Sequence, residues 1–254
     1  MSIFDEPKVD CHCHLFDPAR FPYSAQSSYH PAGQEIATAA QIHQVFSAHG
    51  VRNALLVQLN SGYGSDNRCM LDAIAASNRK FKGVAVVEHA ISSHDLMKLR
   101  DASVVGVAFN LPFHGTSYYL GTQTLLARLA DLDMFLQFQF HQHQLLEILP
   151  LIKKYPVRLL VDHCGRPDPA AGLCDPAFQA LLALGQTGRA AVKLSGYIKF
   201  SRQTHPFKDT WPFIQALVEA FTSENCVWGS DWPFLRAGAC GLRAAASAFR
   251  AIVA

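Results

Sequence analysis

His12 and His14 stand in the run Asp10-Cys11-His12-Cys13-His14, at the end of a short apolar opening. Strand side chains alternate between faces, so both imidazoles point one way and Cys11 and Cys13 the other. Two imidazoles side by side at a strand end can serve as metal ligands or polarise an oxyanion. Two later runs share the build of an apolar strand ending in polar residues at a turn. They are Leu159-Leu160-Val161-Asp162-His163-Cys164-Gly165-Arg166-Pro167-Asp168 and Val227-Trp228-Gly229-Ser230-Asp231-Trp232-Pro233. If these ends meet, Asp231 faces His12, His14 and His163. A carboxylate so placed takes a proton from water while the imidazoles polarise an acyl oxygen. Around a Zn²⁺ the same four side chains would be ligands, and the metal would acidify the water. Singly, each has a bland reading: His-x-His as chance in a chain with 12 histidines, His163 as a core residue held by Asp162, Asp231 as a helix cap. Three such ends in one chain weigh against chance.

The elements that must position these groups alternate. Short apolar runs at Lys8–His14, Asn53–Gln58, Gly83–Val87, Val104–Asn110, Phe135–Phe140, Arg158–His163, Ala190–Ser195 and Cys226–Gly229 read as buried parallel strands. Between them, Ala37–His49, Met70–Lys80, Ser93–Arg100, Thr122–Leu132, Gln144–Lys154, Asp175–Gly185 and Trp211–Thr222 have helical length and periodicity. Asp175-Pro176 and Thr210-Trp211-Pro212 look like N-caps with proline in the first turn. Strands alternating with helices eight times predict a single (β/α)8 TIM barrel over residues 1–254, with its chemistry at the C-terminal strand ends. The segment 16–35, rich in Tyr, Pro and Ser, reads as a loop over that mouth. On this frame Gln137 and Gln139 come from the fifth strand.

Composition excludes several alternatives. A length of 254 residues suits one barrel, and 50% hydrophobic against 17% charged residues suits strands buried on both faces. A net charge of +2 supplies no field for nucleic acid or an anionic membrane. No apolar run approaches the roughly 18 residues of a membrane span, and no signal-peptide core follows Met1. Seven cysteines, none spaced C-x-x-C, read as reduced thiols in a cytoplasmic protein.

Six motifs in chain order resemble the amidohydrolase superfamily, in its 2-pyrone-4,6-dicarboxylate lactonase branch. They are Asp10-Cys-His-Cys-His14, Phe21-Pro22-Tyr23, Gly64-Ser65-Asp66-Asn67, Asp162-His-Cys-Gly-Arg-Pro-Asp168, Val192-Lys193-Leu194-Ser195-Gly196 and Trp228-Gly-Ser-Asp-Trp-Pro233. The resemblance implies a hydrolase that opens a small carboxylated lactone, of the 2-pyrone-4,6-dicarboxylate kind, by adding water. Asp231 would be the general base, and His12, His14 and His163 would bind or polarise the lactone carbonyl. Arg166 would hold a substrate carboxylate with its two-pronged donor face. Lys199 would grip a second carboxylate less directionally, and Tyr29 would donate a hydrogen bond from the mouth loop. Gln139, Asn60 and His114 complete the expected substrate side. No cofactor is expected, an empty site being favoured over a single divalent metal (Zn) on His12, His14, His163 and Asp231.

Departures from the pattern matter too. The branch carries Gly-Val-Arg on its fourth strand, where this chain has Gly106-Val107-Ala108-Phe109-Asn110. Losing that arginine changes substrate choice more than reaction type, and His114 compensates in part. Gln139 stands where binuclear relatives place a histidine, and strand four offers neither Lys nor Glu, so a two-metal centre is not expected. Two alternatives remain open: a metal-dependent decarboxylase of the same superfamily, and a non-catalytic paralogue that binds acidic metabolites. After Phe234 the chain turns rich in Ala and Arg, which suggests truncation or a shifted frame. Leu242–Val253 forms at most a short or incomplete eighth helix. Such a barrel would have an under-covered seam, making it marginally stable or driving it to form a homo-oligomer.

Overall fold

The computed structural model describes residues 6–235. Eight strands run parallel in chain order, each paired with the next: β1 (Lys8–Cys13), β2 (Val51–Val57), β3 (Phe81–Ala85), β4 (Val104–Asn110), β5 (Phe135–Gln139), β6 (Leu159–Val161), β7 (Ala190–Leu194) and β8 (Cys226–Trp228). The expected TIM barrel is the observed fold. Parallel strands cannot be joined by tight turns, so helices cross back between them. These are α1 (Ala39–Ala48), α2 (Arg68–Ala76), α3 (Ser93–Asp101), α4 (Leu111–His114), α5 (Thr116–Tyr119), α6 (Gln123–Asp131), α7 (Gln144–Ile152), α8 (Pro176–Gly185) and α9 (Trp211–Phe221). Each long helix turns an apolar stripe to the strands, as Leu125, Leu126 and Leu129 of α6 do.

Where the ring closes, side chains and backbone outside the short β8 do the work. Asp231 N donates to His12 O at 2.8 Å, and His14 N donates to Trp232 O at 2.9 Å. Beneath them the Asp10 carboxylate accepts from the backbone N of Ser230 at 2.9 Å, from the Ser230 hydroxyl, and from His12 N at 3.0 Å. Asp10, His12 and His14 share one strand face, so the residue that joins β1 to the far end of the chain also sets the two imidazoles above it.

Helix starts follow local chemistry. Thr38 and Gln41 form a reciprocal capping box on α1, and the Asp175 carboxylate caps α8 by accepting from Ala177 N and Phe178 N. Thr210 departs from its expected capping role, because its hydroxyl donates back to Phe207 O at 2.7 Å. α2 stops at Ala76 instead of running to Lys80. The Ser77 hydroxyl donates to Ile74 O and accepts from Phe81 N, and Asn78 and Arg79 take positive φ. The short helices α4 and α5 were not anticipated, being too brief to show a period. The expected helix at Leu242–Val253 and its under-covered seam lie outside the described residues. Among the described residues no helix is long and apolar enough to cross a membrane.

Candidate active site

The three polar strand ends meet at the barrel mouth. Asp231 Oδ1 lies 3.7 Å from His12 Nε2, 3.3 Å from His14 Nε2 and 3.8 Å from His163 Nε2, and all four side chains are buried. The two β1 imidazoles approach each other at 3.2 Å between their Nε2 atoms. Each ring is aimed from behind through Nδ1. His14 Nδ1 lies 2.8 Å from Val57 O, an acceptor only, so this nitrogen carries a proton. His163 Nδ1 lies 3.0 Å from Ser195 Oγ, and His12 Nδ1 lies 3.2 Å from Asp162 Oδ1. Asp162 therefore orients His12, not its neighbour His163 as the bland reading had it. Burial, with Lys193 adding to it, lowers the His12 imidazole to about 4, and burial holds His163 well below its ordinary value. Both rings are neutral at pH 7.

Under this cluster lies a second layer, in which sequence reasoning anticipated Gln137 and missed Lys193. Lys193 on β7 is fully buried, and its Nζ donates to Gln137 Oε1 at 2.6 Å and to Asp162 Oδ1 at 3.1 Å. Gln137 Nε2 donates to Asp162 Oδ2 at 2.9 Å, which closes the ring of contacts. Burial pushes the Asp162 carboxyl up, but Lys193 and His12 outweigh it and leave it below the ordinary range. The available signal was the parity of Lys193 with Ala191 and Ser195 in a strand otherwise apolar. Burial likewise opposes ionisation of Asp231, and Lys199 at 2.8 Å from Oδ2, together with the imidazoles, overcomes it and holds that carboxyl well below the usual range.

The remaining expected residues divide. Asn60, Gln139, Arg166 and Lys199 line the same cavity, together with Asn110, Ala108 and Leu235. Arg166 Nη2 donates to Gln139 Oε1 at 3.1 Å, while its buried Nε has no partner among the described residues. His114 stands behind Asn60, whose Nδ2 donates to His114 Nε2 at 2.9 Å. Tyr29 is not among the lining residues; its hydroxyl donates to the Glu35 carboxylate at the end of the mouth loop. A roomier cleft lies outside the mouth between α2 and α3, lined by Leu71, Val87, Ile91 and Leu99. Its Lys98 and Asp95 are paired with each other, and none of the strand-end imidazoles lines it.

The amidohydrolase family model matches residues 9–250. The chain belongs to the amidohydrolase family. It is 30% identical over 237 residues to the 2-pyrone-4,6-dicarboxylate hydrolase of Comamonas testosteroni, covering 89% of this chain and 76% of the relative. It is also 30% identical over 231 residues to the 4-sulfomuconolactone hydrolase of Rhizobium radiobacter, covering 88% and 75%. A probable 2-pyrone-4,6-dicarboxylic acid hydrolase from Acinetobacter baumannii, solved with citric acid bound, superposes with a TM-score of 0.87 at 27% identity over 97% of this chain and 92% of that one. As a member of this family the chain is a hydrolase, as the resemblance of its motifs implied.

The expectation of a cofactor-free site is corrected here. His12, His163 and Asp231 offer ligand atoms all within 4.8 Å of one another, and His14 Nε2 reaches two of the three at 3.2 and 3.3 Å. Zn–N and Zn–O bonds of about 2.0–2.1 Å in a tetrahedron put ligand atoms about 3.3 Å apart. Four of the distances among these atoms, 3.2–3.8 Å, are near that spacing, the histidines that titrate low are neutral as ligands must be, and each Nδ1 has a partner that fixes its ring. An amidohydrolase from Burkholderia multivorans with this fold (TM-score 0.77, 17% identity, 97% of this chain and 91% of that one) has zinc bound. The donor set thus fits one divalent ion. On strand four Ala108 and Asn110 face the cavity, so no bridging carboxylate or lysine for a second ion comes from there.

Proposed function

We propose that this amidohydrolase opens a small carboxylated lactone by adding water, with Asp231 accepting the proton. The observation that carries the proposal is one carboxylate oxygen within 3.3–3.8 Å of three imidazole Nε2 atoms at the barrel mouth. The water oxygen bonds to the ester carbon, its proton goes to Asp231, and the ring C–O bond breaks. The ring oxygen leaves with a proton, giving an open-chain acid. His12, His14 and His163 face the oxygen on which charge develops, and because a neutral ring protonated at Nδ1 has no Nε2 donor, that charge would be met by a divalent ion held between them. Arg166, with a buried donor to spare, holds the substrate carboxylate. A divalent ion held by His12, His14, His163 and Asp231 would polarise the ester carbonyl and acidify the water, so that a carboxylate as weakly basic as Asp231 suffices as its acceptor.

Support also comes from the two curated relatives, both named for hydrolysis of cyclic esters that bear acid groups. The test is turnover of a lactone panel by zinc-loaded protein. Asp231→Asn keeps the shape and removes the base, so kcat should fall by about 10²–10⁴ with the fold intact. An Asn variant with wild-type turnover removes Asp231 from this role. Carbon dioxide release from small acids without lactone turnover would favour a decarboxylase instead.

A further inference from the structure

The cavity has two unlike walls. Arg166 and Lys199, which follow β6 and β7, bring its cations. The rest of the lining that follows or ends β2 and β4 is uncharged, namely Asn60, Ala108 and Asn110, and Gln139 at the end of β5 adjoins Arg166 and separates it from Asn110. Of the two cations, Lys199 is committed to Asp231 at 2.8 Å. Asp162 is likewise matched by Lys193 beneath it. Arg166 has no carboxylate within ion-pair distance among the described residues, and its Nε is buried without a partner. Apart from a divalent ion held by the strand-end ligands, whose charge would face the ester group, the cavity therefore has one unmatched side-chain cation among the described residues. On the uncharged wall, Asn60 donates to His114, and the Asn110 Oδ1 accepts from Gln139 Nε2 at 3.5 Å and from Phe113 N at 3.3 Å. Asn60 Oδ1 and Asn110 Nδ2 have no partner among the described residues, which leaves one acceptor and one donor for a ligand. Burial lowers His114, so it brings no charge to this wall at pH 7.

We infer that the substrate is a monoanion: one carboxylate at Arg166, and at the Asn60–Ala108–Asn110 wall an uncharged substituent that both donates and accepts hydrogen bonds, such as a hydroxyl or carboxamide. This rests on the lactone reading above and narrows it. A second carboxylate would meet only neutral amides and the methyl of Ala108, and would lose its hydration without gaining a cation. A carboxamide of the same shape has no such loss and can pair with both amide groups.

The experiment compares 2-pyrone-4,6-dicarboxylate with its two mono-carboxamides, 4-carboxamide-6-carboxylate and 6-carboxamide-4-carboxylate, on the zinc-loaded full chain. One mono-amide should exceed the diacid in kcat/KM by about tenfold or more. Ala108→Arg places a cation on the neutral wall and should reverse that order. Ala108→Ser, with no charge added, should keep it. A wild-type preference for the diacid overturns the inference, with no variant needed. So does an Ala108→Arg protein that melts and binds zinc as wild type does yet keeps the wild-type ratio. If none of the three is hydrolysed, the lactone reading fails, and calorimetric Kd values for the same compounds judge the monoanion inference separately. Tighter binding of a mono-amide upholds it, and tighter binding of the diacid ends it.

Discussion

Lys193 Nζ lies 3.1 Å from Asp162 Oδ1 at the floor of the site, and no solvent reaches the lysine. A buried pair of this kind is costly to break from one side, since the surviving charge is stranded. Lys193→Met and Asp162→Asn should each lower stability by about 3–5 kcal/mol. The double variant should recover part of that loss, because no unpaired charge remains. Urea unfolding of the three proteins checks this. Additive losses in the double variant would show that the two residues do not act as a pair.

Gly196 follows β7 at φ +66°, and a Cβ there would lie 2.7 Å from His163 Nδ1. Gly196→Ala is thus strained in backbone and presses on the ring that faces Asp231. We expect a modest loss of stability and a larger loss of kcat, with zinc affinity reduced. A variant with wild-type kcat and zinc content would show that His163 is free to shift without consequence.

Acid should weaken the metal-stripped fold. Burial lowers the folded His12 to about 4 and holds His163 well below its ordinary value of 6.5. Between pH 6.5 and 4 the unfolded chain takes up these protons and the folded chain does not, so stability falls as pH falls. His12 alone accounts for about 2 kcal/mol at pH 5. Asp10 works the other way. Burial, opposed by its Ser230 hydrogen bonds, raises it to about 6, so the folded state is the better proton binder between about 4 and 6. That returns about 1 kcal/mol at pH 5. Denaturant midpoints should therefore drop from pH 7 to pH 5, and drop further in Asp10→Asn. Equal midpoints at both pH values in the two proteins would contradict the assignment.

Tyr29→Phe should leave KM and kcat within about twofold of wild type. Its hydroxyl donates to Glu35 and the residue is absent from the cavity lining. A tenfold rise in KM would place Tyr29 on the substrate after all, through closure of the mouth loop.

How much of this was legible beforehand differs by layer. All eight strands were readable because a parallel strand buried on both faces is written as an unbroken apolar run, as in Leu159–Val161. Asp231, His12, His14 and His163 were readable as a cluster because barrel topology brings every strand end to one mouth. Lys193 was not, since its parity with Ser195 does not say by itself which face of Ala190–Leu194 turns into the barrel or what the lysine pairs with there. Neither was the partner of His12: the adjacent Asp162–His163 pair in sequence suggested a contact that the turn at His163 and Cys164, both at positive φ, does not make. The metal expectation failed for another reason. Ligand spacing is a property of side chains 217 residues apart, and no local pattern encodes it.

That separation has a consequence for how the molecule comes into being. His14 and Asp231 lie nearly a whole chain apart, and the clasp of Asp10 on Ser230 spans 220 positions. Contacts of such range carry a heavy loop-closure entropy and form late. On a ribosome the first seven strands can begin to associate before β8 has been made, so the half-built ring holds its β1 imidazoles with no aspartate opposite. Ions or lactones that engage all four groups recognise only the finished ring, and their binding energy acts as a latch on the final step of assembly.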